Sequence, residues 1–168
     1  MLATNDLVLA GALYECAPRV FGESAVDDLL NRLRSAQLSD WQRANLLSAL
    51  ACVRQPDAIS ALAAVVASEP DESMSQQAAA SLAQMGSVDA VSALVVAIEA
   101  RSVTSVDDPI VRALSKAHNK DSFGYFIELF KTTTNPVLRH AAASVLLNAG
   151  EDGRSLGLEE LDLEDSVR

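Results

Sequence analysis

Apolar positions along this chain recur on two scales. Within a segment they fall at i, i+3, i+4 and i+7, the stripe that an α-helix buries on one side. Ile59, Leu62, Ala63 and Val66 form one stripe, Val91, Leu94, Val95 and Ile98 a second, and Phe123, Phe126, Ile127 and Phe130 a third. Between segments the whole pattern repeats. Asp57, Asp89 and Asp121 stand two residues ahead of the three stripes, and 89 − 57 and 121 − 89 are both 32. Even the text is echoed, since 57-DAISALAAVV-66 returns as 89-DAVSALVVAI-98.

The segment ahead of each Asp keeps the same register. Leu50, Leu82, Leu114 and Leu146 lie 32 apart throughout, as do Val53, Met85, Ala117 and Ala149. Ala49, Ser81, Ala113 and Val145 make a further column of small or modest side chains. Each unit is therefore two helices. The first ends near a Gly or polar turn (Gly86-Ser87, Asn119-Lys120, Gly150). The second begins at an Asp, a residue suited to capping free N–H groups and to the positive end of a helix dipole.

The period places unit two at residues 40–69, unit three at 71–101 and unit four at 107–131. Pro70, Pro109 and Pro136 fall at or near the joints, where Pro can begin a helix but not continue one. The ends are irregular. An apolar helix is expected over residues 5–17, then the turn 18-PRVFGES-24, then a second stripe of Val26, Leu29, Leu30 and Leu33. The fifth unit opens with 136-PVLRHAAASVLLNAG-150 and degrades after Asp152. Terminal units of a stacked array have one neighbour only, so atypical ends are expected.

The pattern resembles the HEAT-repeat family, and more closely the short bacterial HEAT-like repeats of the phycobilisome-lyase type. The carrying residues are the Ala-rich first helices (78-AAASLAQMG-86, 141-AAASVLLNAG-150), the inter-helix Asp57, Asp89 and Asp121, and the apolar second helices. The family's frequent first-helix Arg stands here as Arg43, Arg112 and Arg139 and is missing from unit three, where 75-SQQAAA-80 is found. The expected fold is all-α, a right-handed α-solenoid of about five helical hairpins. It forms one domain over residues 1–168, with an irregular N-terminal cap (1–39), regular repeats (40–150), and a degenerate C-terminal cap with an acidic tail (151–168).

Composition supports helices packed through small side chains, because Ala, Leu and Val dominate and aromatics make up only 4%. The net charge of −10 disfavours nucleic acid and anionic membranes as ligands, both of which need clustered Lys and Arg. HEAT-like DNA glycosylases, for instance, are basic. A protein partner that is itself basic fits better. Five of the acids (Glu159, Glu160, Asp162, Glu164, Asp165) fall in the tail. That tail reads as a frayed end, as an amphipathic piece facing the repeats through Leu158, Leu161 and Leu163, or as an acidic lure for a basic partner. Cys16 and Cys52 match no disulfide or metal framework and suit a reducing, cytoplasmic setting. The N-terminus lacks a basic n-region, so no signal peptide is expected.

No catalytic constellation, metal-ligand spacing or phosphate loop is legible, and no enzyme activity, metal or cofactor is expected. His118 and His140 sit alone on neighbouring first helices. The Asp column is assigned to local helix capping. The informative feature is the far side of the second helices, where small and apolar residues (Ala61, Ala64, Val65, Ala93, Val96, Ala97, Leu129) replace the usual Lys, Glu and Gln. Lateral packing between neighbouring units accounts for part of it. The rest is read as a groove for a protein partner, lined by Val65, Val96 and Leu129 with Tyr125 and Glu128 as polar handles, concave if the HEAT resemblance holds. Trp41, the sole tryptophan, either seals the irregular first unit or anchors a partner. The expected function is a non-catalytic interaction module, such as an inhibitor, immunity protein or adaptor. The alternative is an accessory subunit of a bilin-lyase-type enzyme, and self-association through poorly capped ends is a third possibility.

Overall fold

The computed structural model describes residues 24–33, 38–52, 55–117 and 119–149. These residues form eight α-helices and one short 3-10 turn, with no strand among them. The helices are α1 (Ser24–Leu33), α2 (Asp40–Ala51), α3 (Pro56–Ser68), α4 (Glu72–Met85), α5 (Val88–Ala100), α6 (Pro109–Leu114), α7 (Phe123–Thr132) and α8 (Pro136–Asn148). The 3-10 turn, Lys120–Ser122, opens α7. The helix expected over residues 5–17, the second helix of unit five and the acidic tail lie outside the described residues, as do Cys16 and His118.

Two rows of helices follow from the contacts. Each of α1 to α4 meets the next helix and the next but one, α5 meets α6, and α6 meets α8. Thus α2, α4, α6 and α8 adjoin in turn as the first row, while α1, α3 and α5 adjoin in the second. Beyond α5 the second row continues through the 3-10 turn, and α7 packs closely on α8. Among the described residues no helix is long and apolar enough to cross a membrane.

The core lies between the rows. Leu50, Leu82 and Leu114 are fully buried and Leu146 nearly so. Of the second-helix stripes, Val91, Leu94, Val95 and Ile98 are all buried. The third stripe is looser at its end, where Ile127 and Phe130 are only partly covered. Phe126 is the largest fully buried side chain. Small residues set the spacing, since Ala58, Ala78, Ala79, Ala90, Ala141 and Ala142 are fully buried and bring backbones close.

The Asp column does not cap the second helices. Asp57 and Asp89 lie inside the first turns of α3 and α5, and the N-cap positions are Gln55 and Ser87. Ser87 Oγ accepts from Ala90 N–H at 3.3 Å, whereas Gln55 makes no side-chain cap. Asn119 plays the same part for Asp121, accepting from its N–H at 3.1 Å. The three carboxylates are exposed and act on the helix dipole from the first turn, without the expected hydrogen bonds. Capping by Asp does occur on the first helices: Asp71 accepts from Ser73 and Met74 N–H, and Asp108 accepts from Ile110 N–H.

Helix C-termini are closed by one recurring device. Arg139 Nη2 donates to Thr133 O at 2.6 Å, just past α7. In unit three the equivalent position is Ser75, whose Oγ donates to Glu69 O at 3.0 Å, just past α3. Ser75 is too short to reach further, and Arg101 completes the closure. Its Nη1 donates to Val66 O (2.9 Å), Glu69 O (3.2 Å) and Ser75 Oγ (2.9 Å). The arginine absent from the first helix of unit three is thus supplied from the end of its second helix. This joins three elements, α3, α4 and α5, at one point.

The joint between units three and four departs from the regular form. Ser102 adopts a positive φ of 53°, and residues 104–107 are exposed. After this loop α6 has only six residues, against fourteen in α4. Earlier in the chain, Gly86 adopts φ 61° at the end of α4, and a Cβ placed there would stand 2.8 Å from Asn119 Cβ. The turns of consecutive units touch at this glycine.

Removing the Arg101 clamp leaves Val66 O without its side-chain donor, while Ser75 Oγ still serves Glu69 O, so Arg101→Ala should lose about 1–3 kcal/mol of stability. Gly86→Ala should lose about 1–2 kcal/mol, from the left-handed backbone alone. Thermal unfolding followed by circular dichroism checks both. A melting temperature unchanged in Arg101→Ala would show that the clamp holds nothing.

Candidate functional site

The 32-residue register sorts the outer side of the second row into columns. Ala64, Val96 and Glu128 form one, and all three are exposed. Val65, Ala97 and Leu129 form the next, with Ala97 buried and the other two half-buried against the core. Ala61, Ala93 and Tyr125 form a third, half-buried throughout. The Tyr125 ring meets Phe126 edge-on, at 6.1 Å between centroids and 77° between planes.

These columns divide the residues read from the sequence as a binding surface. Val96 and Glu128 face outward, and Val96 is 60% exposed, the most exposed large apolar side chain among the described residues. Val65, Tyr125 and Leu129 pack sideways against the core and offer only an edge. Ala97 shows why: α3 and α5 adjoin, and the column between them is used in lateral packing. Trp41 stands apart from all five. It lies in the first turn of α2, in the first row, and is 43% exposed. Its turn is fixed by a capping box in which Ser39 Oγ accepts from Gln42 N–H at 3.3 Å and Ser39 N–H donates to Gln42 Oε1 at 2.9 Å.

The outward strip of the second row is made of small side chains. Ser60, Ala64, Ser68, Ser92 and Val96 run along α3 and α5, and Gly124 and Glu128 continue on α7. Helix backbones therefore sit close to the surface there. The strip is bounded by the exposed carboxylates Asp57, Asp89 and Asp121 at the helix starts and by Glu99 on α5. Its polarity is acidic on balance, five exposed carboxylates (Asp57, Asp89, Asp121, Glu99 and Glu128) standing against the exposed bases Lys120, beside Asp121, and Lys131 on α7.

A second feature, on the opposite row, is not apparent from the helical stripes. An open furrow of about 500 Å³ runs between α4 and α6. It is lined by Ser73, Gln76, Gln77 and Ala80 from α4, and by Pro109, Arg112, Ala113 and Lys116 from α6 and the turn after it. Gln77 Nε2 donates to Ser48 Oγ on α2 at 3.0 Å, which fixes its amide. The signal was present in the sequence as two cations four residues apart, facing 75-SQQAAA-80 with its neutral amides. It was obscured because Arg112 was grouped with Arg43 and Arg139, whose tasks differ. Arg43 pairs with Glu69 at 3.7 Å and Arg139 closes α7, whereas Arg112 does neither.

Among the described residues no group of three or more His, Cys, Asp or Glu could hold a metal ion. His140 is exposed on α8, and Cys52 is an exposed free thiol at the end of α2. Comparison with protein-family models, curated proteins and solved structures gives no match for this chain.

Adjacent positions in the second row should respond oppositely to the same substitution. Val96→Glu places a charge in water and should change stability by less than about 0.5 kcal/mol. Ala97→Glu forces a carboxylate and extra volume between α3 and α5 and should cost about 3 kcal/mol or more. Urea unfolding of the two variants tests the column assignment, which fails if the two behave alike.

Proposed function

We propose that this chain is a right-handed HEAT-like α-solenoid whose second-row strip binds a protein partner without catalysing a reaction. The repeat of 32 residues supports the solenoid, together with the progression of α1 to α4 each onto the next two helices. The single observation that carries the binding role is Val96. A large apolar side chain stands 60% exposed at the middle of a strip otherwise made of Ser, Ala and Gly up to Glu128 at its end. Burying it removes apolar surface from water at about 25 cal/mol per Å². The small neighbours let a partner approach the helix backbones closely.

The rim decides what kind of partner. Asp57, Asp89, Asp121, Glu99 and Glu128 surround the strip with negative charge, which favours a basic surface and speeds its encounter at low salt. Glu128 occupies the same column as Val96, so one side chain of the partner's basic rim can pair with it while an apolar neighbour covers the valine. Trp41, being in the other row, is assigned no part in this contact. A cytoplasmic inhibitor, immunity protein or adaptor would each use such a surface.

The discriminating experiment uses variants that leave the core untouched. Wild type, Val96→Glu and Glu128→Lys are immobilised, proteins captured from a host lysate are identified, and affinities are measured with the purified partner. The expected result is a basic protein whose Kd rises at least about tenfold in each variant, a loss near 1.4 kcal/mol. A partner retained equally by both variants would remove the strip from the binding surface.

A further inference from the structure

The second row is unevenly joined. Helix α3 adjoins both α1 and α5, whereas α5 adjoins only the 3-10 turn ahead of α7 and not α7 itself. The hairpins differ in the same place. Helices α2 and α3 adjoin within unit two, as do α4 and α5 within unit three, but α6 and α7 do not pack on each other in this way. Length gives the reason. At 1.5 Å per residue the six residues of α6 make a helix about 9 Å long, against about 15 Å for the ten of α7. Helix α6 is too short to back α7 along its length. Exposure records the result: where α5 buries Val95 and Ile98, the equivalent Ile127 and Phe130 of α7 are only partly covered.

What α7 does have is α8. The two pack closely, and Arg139 Nη2 on α8 donates to Thr133 O just past the end of α7. On the other side of the joint Arg101 ties α3, α4 and α5 together. Two bodies result, each fastened within itself by an arginine. They meet tightly at one point, where Gly86 stands so near Asn119 that a Cβ would lie 2.8 Å from Asn119 Cβ. The other link, α6 on α8, is as short as α6 itself.

We propose that α7 and α8 swing as one pair against α3, α4 and α5, about the point where Asn119 meets Gly86, so that the space between α5 and α7 opens and closes. The short α6–α8 contact slips by small side-chain adjustments, as in shear motions, and such collective movements run in microseconds to milliseconds. Val96 and Glu128 stand on opposite sides of that space, so the swing sets the distance between them. The movement belongs to the chain alone and holds whether or not a partner binds at Val96.

Paired spin labels on the full chain test it, in a background of Cys16→Ser and Cys52→Ser. Ala64→Cys with Val96→Cys spans α3 and α5, Val96→Cys with Glu128→Cys spans α5 and α7, and Glu128→Cys with His140→Cys spans α7 and α8. All four labelled positions are exposed, and circular dichroism checks that each variant is folded. The distance distribution of the second pair, read by electron paramagnetic resonance, should be at least about twice as wide as either of the others, as a hinge between two bodies requires. A second measurement needs no substitution. In the wild-type chain, NMR relaxation dispersion should find the methyl groups of Ile127 and Leu129 exchanging at one shared rate, with those of Ile59 and Leu62 on α3 silent. Equal widths in all three pairs would overturn the proposal, and so would flat profiles at Ile127 and Leu129. A Glu128–His140 pair as broad as Val96–Glu128 would overturn it as well, since α7 would then move without α8.

Discussion

The central helices carry more apolar surface than one partner helix can cover, and the architecture follows from that constraint. Helix α4 buries eight residues, from Met74 to Met85, and needs α2, α3, α5 and α6 around it to do so. No hairpin is self-sufficient. Burial is shared between units, and the 32-residue spacing of Leu50, Leu82, Leu114 and Leu146 keeps the shared layers in step. The alanines between them let the layers close. Stability in such a system is passed from neighbour to neighbour, so a weak joint matters more than a weak residue.

The Arg101 clamp shows how a joint is secured when the repeat loses its usual residue. Position 75 holds a serine where position 139 holds an arginine, and both donate to the carbonyl six residues back. The serine alone leaves Val66 O unattended. The guanidinium arriving from the end of α5 serves Val66 O, Glu69 O and the serine hydroxyl together. All three bonds come from one nitrogen, Nη1, carried across from the end of α5 by the long side chain. The same chemical need is met at two places by different residues, and a column-by-column reading of the sequence records it as an absence.

That difference marks the boundary of what was legible. Hydrophobic periodicity revealed the helices because burial is what selects those positions: the stripe of α5 is buried throughout, and that of α3 is buried except at the half-buried Ala63. It misjudged the Asp column, because capping depends on which residue takes an extended backbone, and Ser87 and Asn119 each take it two places earlier. The outward strip of the second row was half legible. Val96 and Glu128 follow from facing away from the stripe, but Val65 and Leu129 are turned into the lateral contact that Ala97 exposes. The furrow lay beyond periodicity altogether, because it forms between helices nearly forty residues apart at their starts, Glu72 and Pro109.

The long loop and the short α6 are one event seen twice. The linker around Ser102 is longer than the turns elsewhere, and the helix after it is shorter, yet Leu114 still stands 32 residues beyond Leu82. An insertion before Pro109 and a shortening after it cancel. What is held constant is therefore the distance between core layers and not the length of any element. Change in this chain can accumulate as compensated pairs inside a unit, so that its surface is free to diverge in shape while the beat of the core goes unaltered.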